Sequence, residues 1–393
     1  MVNGWRNVEQ FHKNEGHGDI RMRVVSAIIL ALWPISLLAA PTISGISGTV
    51  SSGQSITISG SDFGTKSTPT PIKWDNFESG EHGGTISGWD LTYGNNVKYS
   101  NVGNRTGSSL CYAAGVTTAD DPSNANASNS RITLNSGISA TKIFASYWIK
   151  WNWGEITGGQ IKHGVHLCRE YPGSSAPRIN TVLYYSNNNP YWQGTGTYTP
   201  GGCSSGIDSC TLWGSANMYP TDTWVQVEVQ IEQSTADLED GSLISWVGKS
   251  TGAMVKVVNF PGNICLRKSD ADYNYAQIDI WTWAGNDVGD GYSTTIYYDD
   301  FYVDSSWSRV IIGDASTYDN CTRREVQIPT AWDTGEITVT INQGSFGATD
   351  TAYLYVVDDD GTPSSSYEIT FGESAAPTTS KYTITGGKCN GCQ

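Results

Sequence analysis

Residues 159–170, GQIKHGVHLCRE, divide by alternation into two unlike sets. Ile161, His163, Val165 and Leu167 fall on one side of an extended chain, and Gln160, Lys162, His166 and Glu170 on the other. The string AQIDIWTWAG, residues 276–285, splits in the same way, with Ala276, Ile278 and Ile280 opposed to Gln277, Asp279, Trp281 and Trp283. In FASYWIKW, residues 144–151, the split groups Ser146, Trp148 and Lys150. Amides, carboxylates, an imidazole and an amine set beside indoles are what a sugar groove requires. Pyranose faces are apolar and stack on Trp, while the hydroxyls need planar donors and acceptors. An ordinary solvated strand prefers Thr, Ser and Lys outward, because exposed Trp is costly. WVQVEVQIEQ, residues 224–233, supplies the contrast: Gln226, Glu228, Gln230 and Glu232 point outward with no aromatic after Trp224, which reads as a convex, solvated face.

Two bond-breaking chemistries are open to such a groove. Glycoside hydrolysis needs two carboxylates, about 5.5 Å apart in retaining enzymes, and Glu170 with Asp279 is the available cross-strand pair. β-Elimination needs a group that neutralises a uronate carboxylate and a base that takes the C5 proton. His166, Lys162 and Gln160 are the candidates, with a tyrosine of YYSNNNPYW (Tyr184, Tyr185 or Tyr191) completing an acid–base pair. Neither set stands in the chain as a complete string. Non-catalytic binding of an extracellular polysaccharide is therefore the first expectation, with a lyase next, then a hydrolase, then a surface or adhesion role. No cofactor is required by any of these.

The elements that would carry these residues are strands. The 393 residues include 44 Gly, 21 Tyr and 15 Trp but only 16% charged residues, and short alternating runs separated by Gly, Asn, Asp and Ser recur throughout. That is the pattern of an all-β sandwich protein. The formal net charge of −15 repels nucleic acid and anionic lipid, and it disfavours a polyanionic substrate unless a local basic patch overrides it.

At the N-terminus, Arg21 and Arg23 flank Met22, and a short apolar run leads to Ala39 and Ala40, the three parts of a secretory signal. The run is shorter than the ~20 residues of a membrane span. Residues 22–39 are thus expected to be a cleaved signal and residues 1–21 an over-extended start, leaving a secreted or cell-surface protein with no other membrane segment. The eight cysteines lie beyond this signal, an even number that in an exported chain points to disulfides. Cys203 with Cys210, and Cys389 with Cys392 in the tail 373–393, are the pairs that local spacing suggests.

The run GQSITISGSDFGTK (53–66) resembles the opening of an IPT/TIG domain, a small immunoglobulin-like sandwich. The strings RVIIG, IPTAW, ITVTIN and AYLYVV after residue 308 resemble its second half. Residues 41–73 and 307–372 are accordingly expected to build one discontinuous sandwich around an insert at 74–305, an arrangement that close guest termini permit. The insert opens with WDNFESG and closes with TTIYYDDFYVD, which resemble the paired end strands of concanavalin A-like lectin/glucanase jelly rolls. This fold hosts lectins, hydrolases and lyases alike, so the resemblance implies fold rather than activity. The Glu-x-Asp-x-x-Glu strand of its glucanases is missing from the insert, and GQIKH resembles only in part the Gln-Ile-His strand of alginate-lyase-type jelly rolls. If the two end strands pair, Asp75, Glu78, Asp299 and Asp300 come together as hard oxygen ligands that suit a structural Ca²⁺.

Overall fold

The computed structural model describes residues 39–94, 97–117, 129–151, 160–169, 178–186, 189–197, 222–236, 238–248, 252–264, 266, 274–284 and 293–375. Residues 22–38 of the proposed signal, Glu170, Cys203, Cys210 and the tail cysteines lie outside these residues.

The fold is all-β. Among the described residues the strands form four antiparallel sheets of five, four, six and eight members. The five-stranded sheet runs Ile328–Trp332, Glu336–Thr340, Ser55–Ser61, Thr42–Thr49 and Ser374–Ala375, so strands from both ends of the chain share one ladder. Arg324–Val326, Arg309–Gly313, Thr351–Val357 and Tyr367–Thr370 form the four-stranded sheet. The six-stranded sheet is ordered Asn189–Thr197, Arg178–Ser186, Gln160–Arg169, Tyr275–Ala284, Asn129–Leu134 and Leu91–Tyr93. The eight-stranded sheet runs Val255–Ile264, Gly241–Val247, Val225–Glu232, Lys142–Lys150, Ser293–Asp304, Cys111–Thr117 and Lys98–Ser100, with Lys73–Asp75 also pairing on Ser293–Asp304.

Alternation sorts each strand between two environments. Ile278, Ile280, Val165 and Ile132 of the six-stranded sheet meet Ile143, Ala145, Tyr147, Ile149, Val227 and Val229 of the eight-stranded sheet in the largest core. Ile56, Ile58, Ile337 and Val339 of the five-stranded sheet meet Val310, Ile312, Leu354 and Val356 of the four-stranded sheet in a second core. The odd members of those same strands, Ile311, Tyr355 and Val357, turn the other way and pack with Phe144, Tyr302 and Trp307 in a third. Residues 39–375 are thus four stacked sheets with three apolar seams. Because the four-stranded sheet is covered on both faces, Arg309–Gly313 is a continuous buried run instead of an alternating one.

The third seam corrects the reading of the strand Val225–Glu232. Its Gln226 and Glu228 are not solvated but buried under the four-stranded sheet, as is Gln230, and only Glu232 reaches the surface. Buried polar groups need partners, and Arg324 supplies them to Gln226 and to one oxygen of Glu228. The backbone N–H of Arg324 donates to Gln226 Oε1 at 2.8 Å, while Gln226 Nε2 donates back to the Arg324 carbonyl. Glu228 accepts from Arg324 Nη1 at 3.0 Å, and the guanidinium stacks on the Tyr318 ring at 3.9 Å. The indole of Trp307 donates across the same seam to the Ile143 carbonyl at 3.0 Å.

Candidate active site on the open face of the six-stranded sheet

The register of the six-stranded sheet assembles the site. His166 stands directly opposite Asp279, and Asp279 directly opposite Thr133. Residues paired this way share a sheet face, and this is the face turned away from Ile278, Ile280 and Val165 in the core. Asp279 Oδ1 accepts from Thr133 Oγ1 at 2.7 Å, and Gln277 Nε2 donates to both Asp279 oxygens, at 2.9 and 3.0 Å. The carboxylate so fixed lies 3.9 Å, Oδ2 to Nδ1, from the His166 imidazole. Trp281, one rung away on the Asp279 strand, lays its indole against His166 with ring centroids 3.9 Å apart. His166 and Asp279 are buried, 3% and 1% exposed, whereas Gln277 and Trp281 are only half-buried.

The next rungs extend the face. Trp281 stands opposite both Gly164 and Arg131, and Arg131 opposite Tyr93 on the edge strand. Gly164 adopts φ 144°, a conformation that favours glycine, so the strand passes beside the indole without a side chain. Lys162 stands opposite Trp283 and Tyr184, and Tyr184 opposite Tyr191. Asn180 stands opposite His166. By alternation Tyr184 and Tyr191 therefore share the face of His166, whereas Tyr185, paired with Ile161, falls on the other face. Gln160 pairs with Ser186 on the His166 side of the sheet.

Sequence reading missed Arg131, Thr133, Tyr93 and Asn180. A signal for the first two was present: NSRITL alternates Ser130, Ile132 and Leu134 against Arg131 and Thr133. Glu170 lies outside the described residues, so the hydrolytic pair with Asp279 has no geometry to report.

Trp148 does not belong to this site. It sits in the eight-stranded sheet, on the face opposite Tyr147 and Ile149, and therefore in the seam with the four-stranded sheet. There its indole N–H donates to Glu325 Oε2 at 3.4 Å, and the Arg105 guanidinium lies 4.5 Å from its ring centroid.

The carboxylates expected to hold Ca²⁺ are engaged separately. Asp75 accepts from the backbone N–H of Phe77 and from the Trp89 indole, each at 2.8 Å. Glu78 Oε1 accepts from the backbone N–H groups of Ser109 and Leu110 at 2.7 and 3.0 Å. Asp300 pairs with buried Arg105, which also meets Glu325 at 2.7 Å and Asp299 at 3.9 Å. A strand irregularity between Asp299 and Tyr302, with Asp300 at φ 46°, lets neighbouring carboxylates face one guanidinium. A fixed cation thus stands where a metal was expected, and among the described residues no three His, Cys, Asp or Glu side chains gather as ligands. Burial pushes the Asp299 carboxyl up to about 7, with Arg105 opposing the shift. Arg105 already faces Asp300 and Glu325, so a third ionised carboxylate there is a surplus charge.

The disulfide expectation is corrected where it can be seen. Cys111 and Cys321 are buried free thiols, and burial raises the pKa of each. Cys111 donates to the Ser100 carbonyl at 3.4 Å.

No protein-family model and no curated protein matches this chain. Among solved structures it is similar to an endo-β-1,4-glucuronan lyase from the fungus Trichoderma reesei, with 15% identity and a TM-score of 0.45 over 61% of this chain and 97% of that one. It is similar to the alginate lyase Aly36B solved with an alginate trisaccharide, with 14% identity and a TM-score of 0.40 over 61% of this chain and 99% of that one. A GH131 β-glucanase catalytic domain from Podospora anserina gives 10% identity and a TM-score of 0.31 over 64% and 95%.

Proposed function

We propose that the open face of the six-stranded sheet binds an acidic polysaccharide and cleaves it by β-elimination. The observation that carries this reading is the buried His166–Asp279 pair on a face that is not the core. Removing an imidazole and a carboxylate from water is costly and contributes nothing to apolar packing. Such pairs concentrate where an acid or base must be tuned and aimed. Thr133 and Gln277 hold the Asp279 carboxylate, and that carboxylate stabilises the imidazolium formed when His166 accepts a proton.

In this scheme Lys162 compensates the uronate carboxylate, which acidifies the C5 proton. His166 takes that proton, the C4–C5 double bond forms, and the C4–O4 bond breaks. Tyr184, one rung beyond Gly164, is the candidate acid that protonates the departing oxygen. His166 afterwards returns its proton through solvent. No cofactor takes part. The basic residues Arg131, Lys162 and Arg178 share this face by register, against Asp279 alone among acidic residues of the described strands. This is the local exception to a net charge of −15 that an acidic substrate needs.

Trp281 favours a second reading, in which the same face only binds a polysaccharide. A half-buried indole beside hydrogen-bonding groups is a stacking platform in either case. Incubating the purified protein with polyuronates and following the ultraviolet absorbance of the new double bond separates the two. Appearance of unsaturated products, lost in His166→Ala, supports elimination. Retention of the protein on the polymer with no product supports binding alone. Release of saturated reducing ends would overturn both in favour of hydrolysis. Secretion of residues 40–393 is part of this proposal, and extracellular fractionation tests it.

A further inference from the structure

The edge strand Leu91–Tyr93 carries two of the four large hydrophobic residues exposed among the described ones: Leu91 at 49% and Tyr93 at 57%. Both belong to the face of the candidate site, since Leu91 pairs with Thr133 and Tyr93 with Arg131. Exposed large apolar side chains placed together on one edge mark contact surfaces. Arg131 lies 5.5 Å from the Tyr93 ring centroid. It is half-buried, its Nε has no hydrogen-bond partner, and among the described residues it has no carboxylate partner. A guanidinium left in that state within an acidic protein lacks an anion. Tyr93, Arg131 and Trp281 stand on one rung, perpendicular to the strands, which leads from the sheet edge to the ring stacked on His166. Three strand spacings separate the Tyr93 strand from the His166 strand, about 14 Å, farther than one sugar ring reaches.

From this we infer that Tyr93 and Arg131 form an outlying subsite for a carboxylated sugar, which grips the chain away from the point of cleavage. Tyr93 offers a face to the ring, and Arg131 pairs with the carboxylate. The inference rests on the proposed function, and its consequence is a preference for long chains over short ones, with attack inside the polymer.

The test compares retention in gels containing a polyuronate with affinity for a size-defined series of the same oligouronates. Tyr93→Ala should lower the ratio of long-chain to short-chain affinity by about tenfold, the scale of one aromatic stack. Tyr93→Phe should restore it, because the ring and not the hydroxyl is used. Arg131→Gln should lower the ratio for polyuronates and leave it unmoved for neutral polymers of equal length. A wild type that is retained, with a ratio that Tyr93→Ala does not change, overturns the subsite and leaves the proposed function standing. A wild type retained by no polyuronate overturns both. Tyr93 is exposed, so an unaltered melting temperature certifies that the variants are folded.

Discussion

His166 and Asp279 face each other across two antiparallel strands, Nδ1 to Oδ2 3.9 Å, with the carboxylate clamped by Thr133 from a third strand and by Gln277 from its own. The separation is longer than a hydrogen bond, so closing it requires a small approach of imidazole to carboxylate. Protonation of the imidazole by a substrate provides that attraction.

His166→Ala should reduce turnover by about 10²–10⁴-fold while retention on the polymer persists, because proton transfer is lost and stacking is kept. Asp279→Asn should cause a smaller loss, since it keeps the contacts with Thr133 but no longer stabilises the imidazolium. Initial rates of double-bond formation alongside gel retention check both.

Trp281→Ala should weaken retention by up to about tenfold, in line with ~0.5–1.5 kcal/mol for an aromatic contact. Trp148→Ala should leave retention unchanged and lower the melting temperature, because that indole belongs to the seam between sheets. Affinity electrophoresis with thermal denaturation on the same samples distinguishes the pair.

Arg324→Met should destabilise the fold by about 3–5 kcal/mol, leaving Glu228 buried without its cation. Combining it with Glu228→Met should recover most of that loss. Denaturant titration of the double-mutant cycle measures the coupling.

The Asp299 carboxyl titrates near 7 in the fold against an ordinary value of 3.8, because it is buried. The folded protein therefore binds this proton more tightly than the unfolded chain does. Its contribution to stability is fully present below about pH 4 and is lost as the pH rises through about 7. Asp299→Asn removes that titration, so the variant should gain on the wild type between pH 5 and pH 8, as denaturation midpoints at both values will show.

Alternation was enough to separate Asp279 and Trp281 from Ile278 and Ile280, since a strand with one core face writes that difference directly into the chain. The all-β class was legible for the same reason. What alternation could not give was the identity of the medium beyond the second face. Gln226 and Glu228 alternate like surface residues, yet their water is replaced by Arg324, which is about a hundred positions away. Trp148 was misplaced for the same reason: an outward indole suits a sugar groove and a polar seam equally well. Cross-strand register was the other missing quantity. Only the pairing of Tyr184 with Lys162 and of Tyr185 with Ile161 tells which of two adjacent tyrosines shares a face with His166.

The ladder that joins Ser55–Ser61 to Glu336–Thr340 imposes an order on biogenesis. Thr57 and Thr338, partners in that ladder, are 281 positions apart, so Ser55–Ser61 can pair at once with Thr42–Thr49, but its other edge stays open until Glu336–Thr340 has been made. Closing so long a loop adds only slowly to the entropic cost but delays the event itself. The sheets containing residues 73–304 have all their strands available earlier, and their ladders are complete without either chain end. The five-stranded sheet is therefore expected to form last, as a clasp shut over a body already folded. Until then the exposed backbone edge of Ser55–Ser61 is the part of the nascent protein most open to pairing with a neighbouring copy.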